Sequence, residues 1–404
     1  MAQSPTLRSF KHRNFRILYP ANAMSNIGTW AQRVAQDWLV LELTNNNAAM
    51  LGLVTAIQFL PAMLLSLYGG LLADRFSKRQ LLILTNTGAG LSSVVLGLLV
   101  VSQSVELWHV FALALLLGVF TAIDSPIRVS FTSELVGKDD LANAVSLNSA
   151  NFNVGRLVGP ALSGFLIFHY GTGPSFLINT VTYLFMVVTL LVIKDKDLHI
   201  TTKPARDNKL SEAFVYVRSR PDLMLVMLTV FFTTTFGLNF QIFIALMVTH
   251  EFNMGPDQFG ALGSILAVGS LSGALIAARL EKHRTTKNIL RGASLFGALL
   301  IASAYLPNPM LYAIMLPIMG ATALLTLISA NTYVQSNTTN ALRGRVMGIY
   351  LMIFMGGTPI GSPMIGFVAD AVGIRPTIVL CGLILVAAAF IIRRRFKNVT
   401  PVAI

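Results

Sequence analysis

The chain has 404 residues, 54% of them hydrophobic and only 12% charged, with 30 Lys and Arg against 17 Asp and Glu and a formal net charge of +13. A soluble domain carries roughly 25% charged residues, so this composition excludes an ordinary water-facing globule. Long apolar runs recur from end to end, each near the ~20 residues that cross a hydrocarbon core as a helix.

The N-terminal "MAQSPTLRSFKHRNFRILYP" is a short basic arm that enters a helix directly, with no small-residue cleavage site after a short apolar core, so no removable signal peptide is expected. Apolar runs then follow at 15–43, 50–73, 80–102, 107–125, 141–169 and 174–193. After a polar interruption come 223–248, 258–280, 287–306, 310–332, 346–370 and 375–392. Turn signals "TNNNAA", "GTGP", "NMGP" and "PNP" punctuate them. The fold class expected is all-α, with twelve transmembrane helices in two pseudo-symmetric six-helix bundles. Residues 1–193 would form the first bundle, 194–220 a linker holding an amphipathic helix ("LSEAFVYVRSR"), and 221–404 the second.

With the N-terminus in the cytoplasm, every Lys and Arg except Arg33, Arg156 and Arg375 falls on the cytoplasmic side. That is the positive-inside pattern, so the +13 sets topology and touches anionic lipid rather than nucleic acid. Both termini are then cytoplasmic. A lone Cys381 excludes an internal disulfide, and the six histidines show no i, i+4 pairing, so no metal or other cofactor is expected.

Two segment pairs repeat at offsets near half the length. "GPALSGFLIFHYGTGP" (159–174) matches "GSPMIGFVADAVGIRP" (361–376) at Gly159/Gly361, Gly164/Gly366, Phe165/Phe367, Gly171/Gly373 and Pro174/Pro376. "LLADRFSKR" (71–79) matches "LIAARLEKH" (275–283), aligning Arg75 with Arg279 and Lys78 with Lys282. Parallel repeats of six spans are a transporter plan.

Charges inside spans are functional candidates because hydrocarbon disfavours them. They are Arg33, Asp37, Asp124 and Arg156. Arg33 and Asp37 share a helix face at i, i+4, so one reading is a fixed ion pair and the other a carboxylate that exchanges a proton as its distance to Arg33 or Arg156 changes. Along the helix Asp37 lies roughly 9 Å below Leu43, while Arg156 lies roughly 20 Å below the outer end of its span, a depth that sets the two apart. Asp124 has Arg128 at i, i+4, and an Asp124–Arg128 pair is one reading of it.

The stretch "GGLLADRFSKRQLL" (69–82) resembles motif A of the major facilitator superfamily through Gly70, Leu72, Ala73, Asp74, Arg75, Lys78 and Arg79, with Ser77 where that pattern has a second glycine. The resemblance implies that Asp74 braces a cytoplasmic gate and that Asp124 partners Lys78 or Arg79 there. "GRLVGPALSG" (155–164) resembles the Gly-Pro end of an exporter motif through Gly155, Gly159, Pro160 and Gly164, with Ser146 at the upstream glycine position. Packing alone also explains these glycines, and helix bending is the second use. Together with "SNIGTWAQRVAQDWLVLELT", "DSPIR" and "LRGRVMGIY", these stretches resemble the transmembrane secretion effector group, which takes in siderophore exporters and macrolide efflux pumps.

The resemblance implies a bacterial inner-membrane protein, acting as a monomer, that exports a small amphiphilic molecule in exchange for protons. It places Asn26, Trp30, Phe236, Gln241, Met319 and Asn331 on cavity-lining helices, where aromatic, Met and amide groups suit an amphiphile. An uptake transporter on the same fold is the alternative. A membrane enzyme would need convergent catalytic groups that the sequence lacks, and "LVGKDD" is no phosphate loop.

Overall fold

The computed structural model describes residues 5–199, 210–280, 285–339 and 342–396, and omits the side chains at 5, 6, 66–71, 73, 74 and 210. Gly70 and Asp74 are therefore described by their helical backbone alone, and linker residues 200–209 lie outside the described residues.

Among the described residues all regular structure is helical. The basic arm is a short 3-10 segment, Pro5–Lys11, leading into α1 (Arg13–Leu43). Then come α2 (Ala48–Arg75), α3 (Lys78–Val101), α4 (Leu107–Tyr170) and α5 (Gly173–Val192). The linker contributes α6 (Leu210–Ser219). The run after it, Pro221–Glu251, is α7 (Pro221–Phe232) and α8 (Phe240–Leu246), each followed by one π turn, Thr233–Gly237 and Met247–Glu251. The chain closes with α9 (Pro256–Arg279), α10 (Thr286–Ala304), α11 (Pro309–Ser336), α12 (Arg343–Val372) and α13 (Ile374–Arg395).

α4 departs from the expected pair of spans joined by a loop. The backbone is helical through 126–140 except at a single residue, Gly137, at φ 70° and ψ −175°. A left-handed φ with an extended ψ needs a residue without Cβ. Counting the two parts of α4 separately and 221–251 as one span, the helices are consistent with twelve crossings. The ends obey the same local chemistry: Asn308 and Thr285 cap α11 and α10 by accepting from Leu311 N and Asn288 N. Gly171 and Gly373, paired by the internal repeat, stop α4 and α12 with the same left-handed φ of 77° and 88°.

The chain forms two compact units. One holds Met1–Leu43, Leu60–Ala205 and Pro256–Ser264, and the other Thr44–Phe59, Arg206–Gly255 and Ile265–Ile404. The core of the first gathers Phe15, Leu82, Phe131 and Met186. That of the second gathers Leu223, Val226, Tyr333 and Tyr350. In a hydrocarbon solvent apolar burial gives little drive, so helices meet where small residues let backbones approach. A Cβ added at Gly155 would stand 2.8 Å from Asn26 Cβ, and one at Gly159 2.6 Å from Trp30 Cβ and 2.9 Å from the Ile27 carbonyl oxygen. The second unit repeats this arrangement with Gly357 against Thr234 and Gly361 against the Thr235 backbone.

Candidate functional site

The close approach of α4 to α1 fixes the site. Arg156 lies between Gly155 and Gly159, so its guanidinium is delivered to α1, with Cζ 5.5 Å from the Trp30 ring centroid. Arg33, from α1 itself, places its Cζ 4.9 Å from the same ring. Phe152 meets Trp30 edge-on, with centroids 5.8 Å apart. The depth arithmetic set Arg156 apart from Asp37, and no ion pair joins those two among the described residues; Arg156 instead reaches the Trp30 ring that Arg33 also faces. Helix rise gives only axial position, whereas long arginine side chains span more than a turn.

Asp37 is 3% exposed, one turn beyond Arg33, and the two charges interact. The α1 face beside them is polar as well. Gln32 accepts from Asn179 Nδ2 at 2.6 Å and from Ser93 Oγ, and Tyr183 Oη lies 3.3 Å from Thr29 Oγ1. These bonds to α3 and α5 fix the rotation of α1 and with it the direction of Trp30 and Arg33. Sequence reading did not single out Gln32 or Asn179; buried amides inside a span were the available signal.

Pro160 removes one N–H from the α4 ladder. Ser264 of α9 enters beside it: its hydroxyl donates to the Leu157 carbonyl at 2.6 Å and accepts from the Ala161 amide at 3.1 Å. Those are the two groups an uninterrupted helix would bond to each other. Gly164 lies against Pro256 and Gly260, so all three glycines of the 155–164 motif serve helix contact.

At the basic end of the first unit the charges pair differently from the gate expectation. Asp124 does not partner Lys78 or Arg79. It accepts from Arg128 Nε at 2.7 Å, Thr85 Oγ1 at 2.9 Å and Asn86 Nδ2 at 2.8 Å. Arg128 also donates to Asn22. Lys78 instead donates to Glu134 at 2.6 Å. Arg79 caps α5 through the Leu190 and Leu191 carbonyls at 2.7 and 2.9 Å and pairs with Asp195 at 2.8 Å. The i, i+4 spacing satisfies Asp124 locally, leaving the motif's cations to helix ends nearby. Arg75 is exposed.

The arm docks beside the Gly137 break. Asp140, 1% exposed, receives Lys11 Nζ at 2.6 Å, His12 Nε2 at 2.8 Å and Arg8. Lys11, then His12 and Arg8, hold this carboxyl well below the usual carboxylate range.

In the second unit Phe236 is half-buried and stacks near Phe232, centroids 6.3 Å apart. Gln241 is half-buried, and Asn331 accepts from Gln335 Nε2 at 2.8 Å. Met319 is 1% exposed and packed away, so it offers a ligand no surface. Asn26 is half-buried beside Gly155. Among the described residues no group of three His, Cys, Asp or Glu side chains could hold a metal ion.

A helical bundle of parallel repeats with buried charges in its spans is the fold of a major facilitator superfamily transporter, and solved structures match it end to end. One is a bacterial homologue of the human lysosomal transporter Spinster, with a TM-score of 0.76 at 15% identity over 98% of both chains. The chain belongs to the transmembrane secretion effector family, whose profile matches residues 4–400. It is similar to the staphyloferrin A transporter of Staphylococcus aureus, 25% identical over 88% of this chain and 90% of the relative. It is also similar to the enterobactin exporter of Citrobacter koseri, 22% identical over 88% of this chain and 85% of the relative. The chain is therefore a multi-pass membrane transporter of small molecules, not an enzyme.

Proposed function

We propose that this transporter exports a small amphiphilic molecule across a bacterial inner membrane in exchange for protons, by alternating access, as a monomer with both termini in the cytoplasm. Residues 1–193 and 221–404 act as the two moving halves, joined by the 194–220 linker. The observation that carries the proton step is Asp37, a carboxylate 3% exposed within a span and one turn from Arg33. A buried carboxylate beside a guanidinium has two accessible charge states, and a change in their separation moves it between them. Export is supported by the 155–164 motif and by relatives that include an enterobactin exporter. Asp74 is assigned to the cytoplasmic gate with Arg75, Lys78 and Arg79 on the motif's pattern alone.

Inverted vesicles with an imposed pH gradient test this. Accumulation of fluorescent amphiphiles, cationic and anionic in turn, is compared between wild type and Asp37→Asn. Gradient-driven accumulation should occur in wild type and fail in the variant, while exchange down a substrate gradient persists. Full gradient-driven transport in Asp37→Asn would exclude Asp37 as the proton carrier.

A further inference from the structure

Arg33 and Arg156 have a use beyond the proton step. Their guanidiniums converge on one indole, at 4.9 and 5.5 Å from its centroid, although their charges repel. Asp37 lies one turn from Arg33. Among the described residues Arg156 has no carboxylate within ion-pair reach. Arg156 thus lacks a carboxylate partner, and the indole recovers only about 0.5–2 kcal/mol for it, against several kcal/mol for a guanidinium at membrane depth.

Packing does not explain the second cation. The other unit repeats the same backbone approach at Gly357 and Gly361, and the residue between them that corresponds to Arg156 is Thr358. The scaffold therefore closes without a charge.

The cluster is also reachable. Ser146, Ser149, Asn153 and Arg156 follow one face of α4, the serines exposed and the other two half-buried. The apolar face that suits lipid runs about a third of a turn round the helix, along Val154, Val158, Phe165 and Phe168, which are 41–60% exposed. Ser146, Ser149 and Asn153 bond to carbonyls four residues back on their own helix, so what this face offers a polar ligand is the half-buried Arg156 guanidinium.

We infer that Arg33, Trp30 and Arg156 form a subsite for the carboxylate of an anionic amphiphile, held between the two guanidiniums while the indole packs on the adjoining apolar part. Two planar N–H forks suit a carboxylate, and Trp supplies the wall. This rests on the transport reading above and gives its cargo a sign of charge.

The test uses full-length protein in lipid nanodiscs and three probes that differ in charge: 2-naphthoate, 2-naphthamide and 2-naphthylmethylammonium. Calorimetry should give naphthoate an affinity at least about tenfold above the amide, the worth of one charge-assisted bond. Arg156→Thr, which installs the residue of the repeat, should bring naphthoate down to the amide's affinity and leave the amide unchanged. Arg156→Lys should retain part of the preference. Equal affinities for naphthoate and naphthamide in wild type would overturn the subsite, and so would an equal loss of all three probes in Arg156→Thr. Equal affinities combined with Asp37-dependent transport would leave the proton reading standing. Arg156-dependent naphthoate binding with transport indifferent to Asp37 would remove the proton reading and keep the subsite.

Discussion

Replacing Gly159 by Ala tests the approach that assembles the site. The added Cβ would stand 2.6 Å from Trp30 Cβ, 2.9 Å from the Ile27 carbonyl oxygen and 3.0 Å from the Ala31 amide nitrogen. Carbon atoms rest at about 3.5–4.0 Å, so α1 and α4 must part there by about 1 Å. Overpacking of this kind destabilises by about 1–3 kcal/mol. The same displacement carries Arg156 Cζ from 5.5 Å to beyond the roughly 6 Å reach of a cation–π contact. Purified Gly159→Ala should therefore melt below wild type and bind 2-naphthoate more weakly. Gly344→Ala is the control, since an added Cβ there meets nothing within 4 Å and the residue lies in the first turn of α12. It should be neutral or slightly more stable, because Ala restricts the unfolded chain. Wild-type melting and binding in Gly159→Ala would refute the argument that this glycine sets the spacing.

Two further expectations concern the basic end of the first unit. Asp124→Ala strips Arg128 of its carboxylate, and breaking a partly buried pair should destabilise by about 3 kcal/mol, the low end of the usual range because the Arg128 side chain is 26% exposed. Denaturant titration should show part of that loss recovered in Asp124→Ala/Arg128→Leu, and equal losses would count against the pairing. Asp140 has its carboxyl depressed on folding, so its contribution is complete above the unfolded value near 3.9 and is lost as pH falls through the folded value. Protection of amides in the docked arm should accordingly hold between about pH 5 and 8 and fall in stronger acid, while Asp140→Asn should expose the arm at neutral pH. An arm equally protected in Asp140→Asn would show that the carboxylate is not its anchor.

Hydropathy and charge placement made the helical membrane fold readable, because both follow from one-dimensional costs of crossing hydrocarbon. The 126–140 stretch was less readable. Its polar residues suggested a loop, yet the backbone stays helical except at Gly137, and the side chains that look exposed in sequence bind Lys78 and the arm. The i, i+4 pattern of Asp124 and Arg128 was visible, and local geometry prevailed over the partnership with Lys78 or Arg79. Trp30, Arg33 and Arg156 were each singled out, but not their meeting on one ring. That depends on two helices distant in sequence and on the glycines that flank Arg156, whose spacing signals a close partner without saying which.

Pro160 interrupts the ladder of α4 from within, yet the amide of Ala161 bonds to a hydroxyl 103 residues further along the chain. The hydrogen-bond ladder of α4 is thus completed in part by α9. A change at position 264 rewrites the shape of a helix to which it does not belong, and the inheritance of that shape is divided between two distant codons.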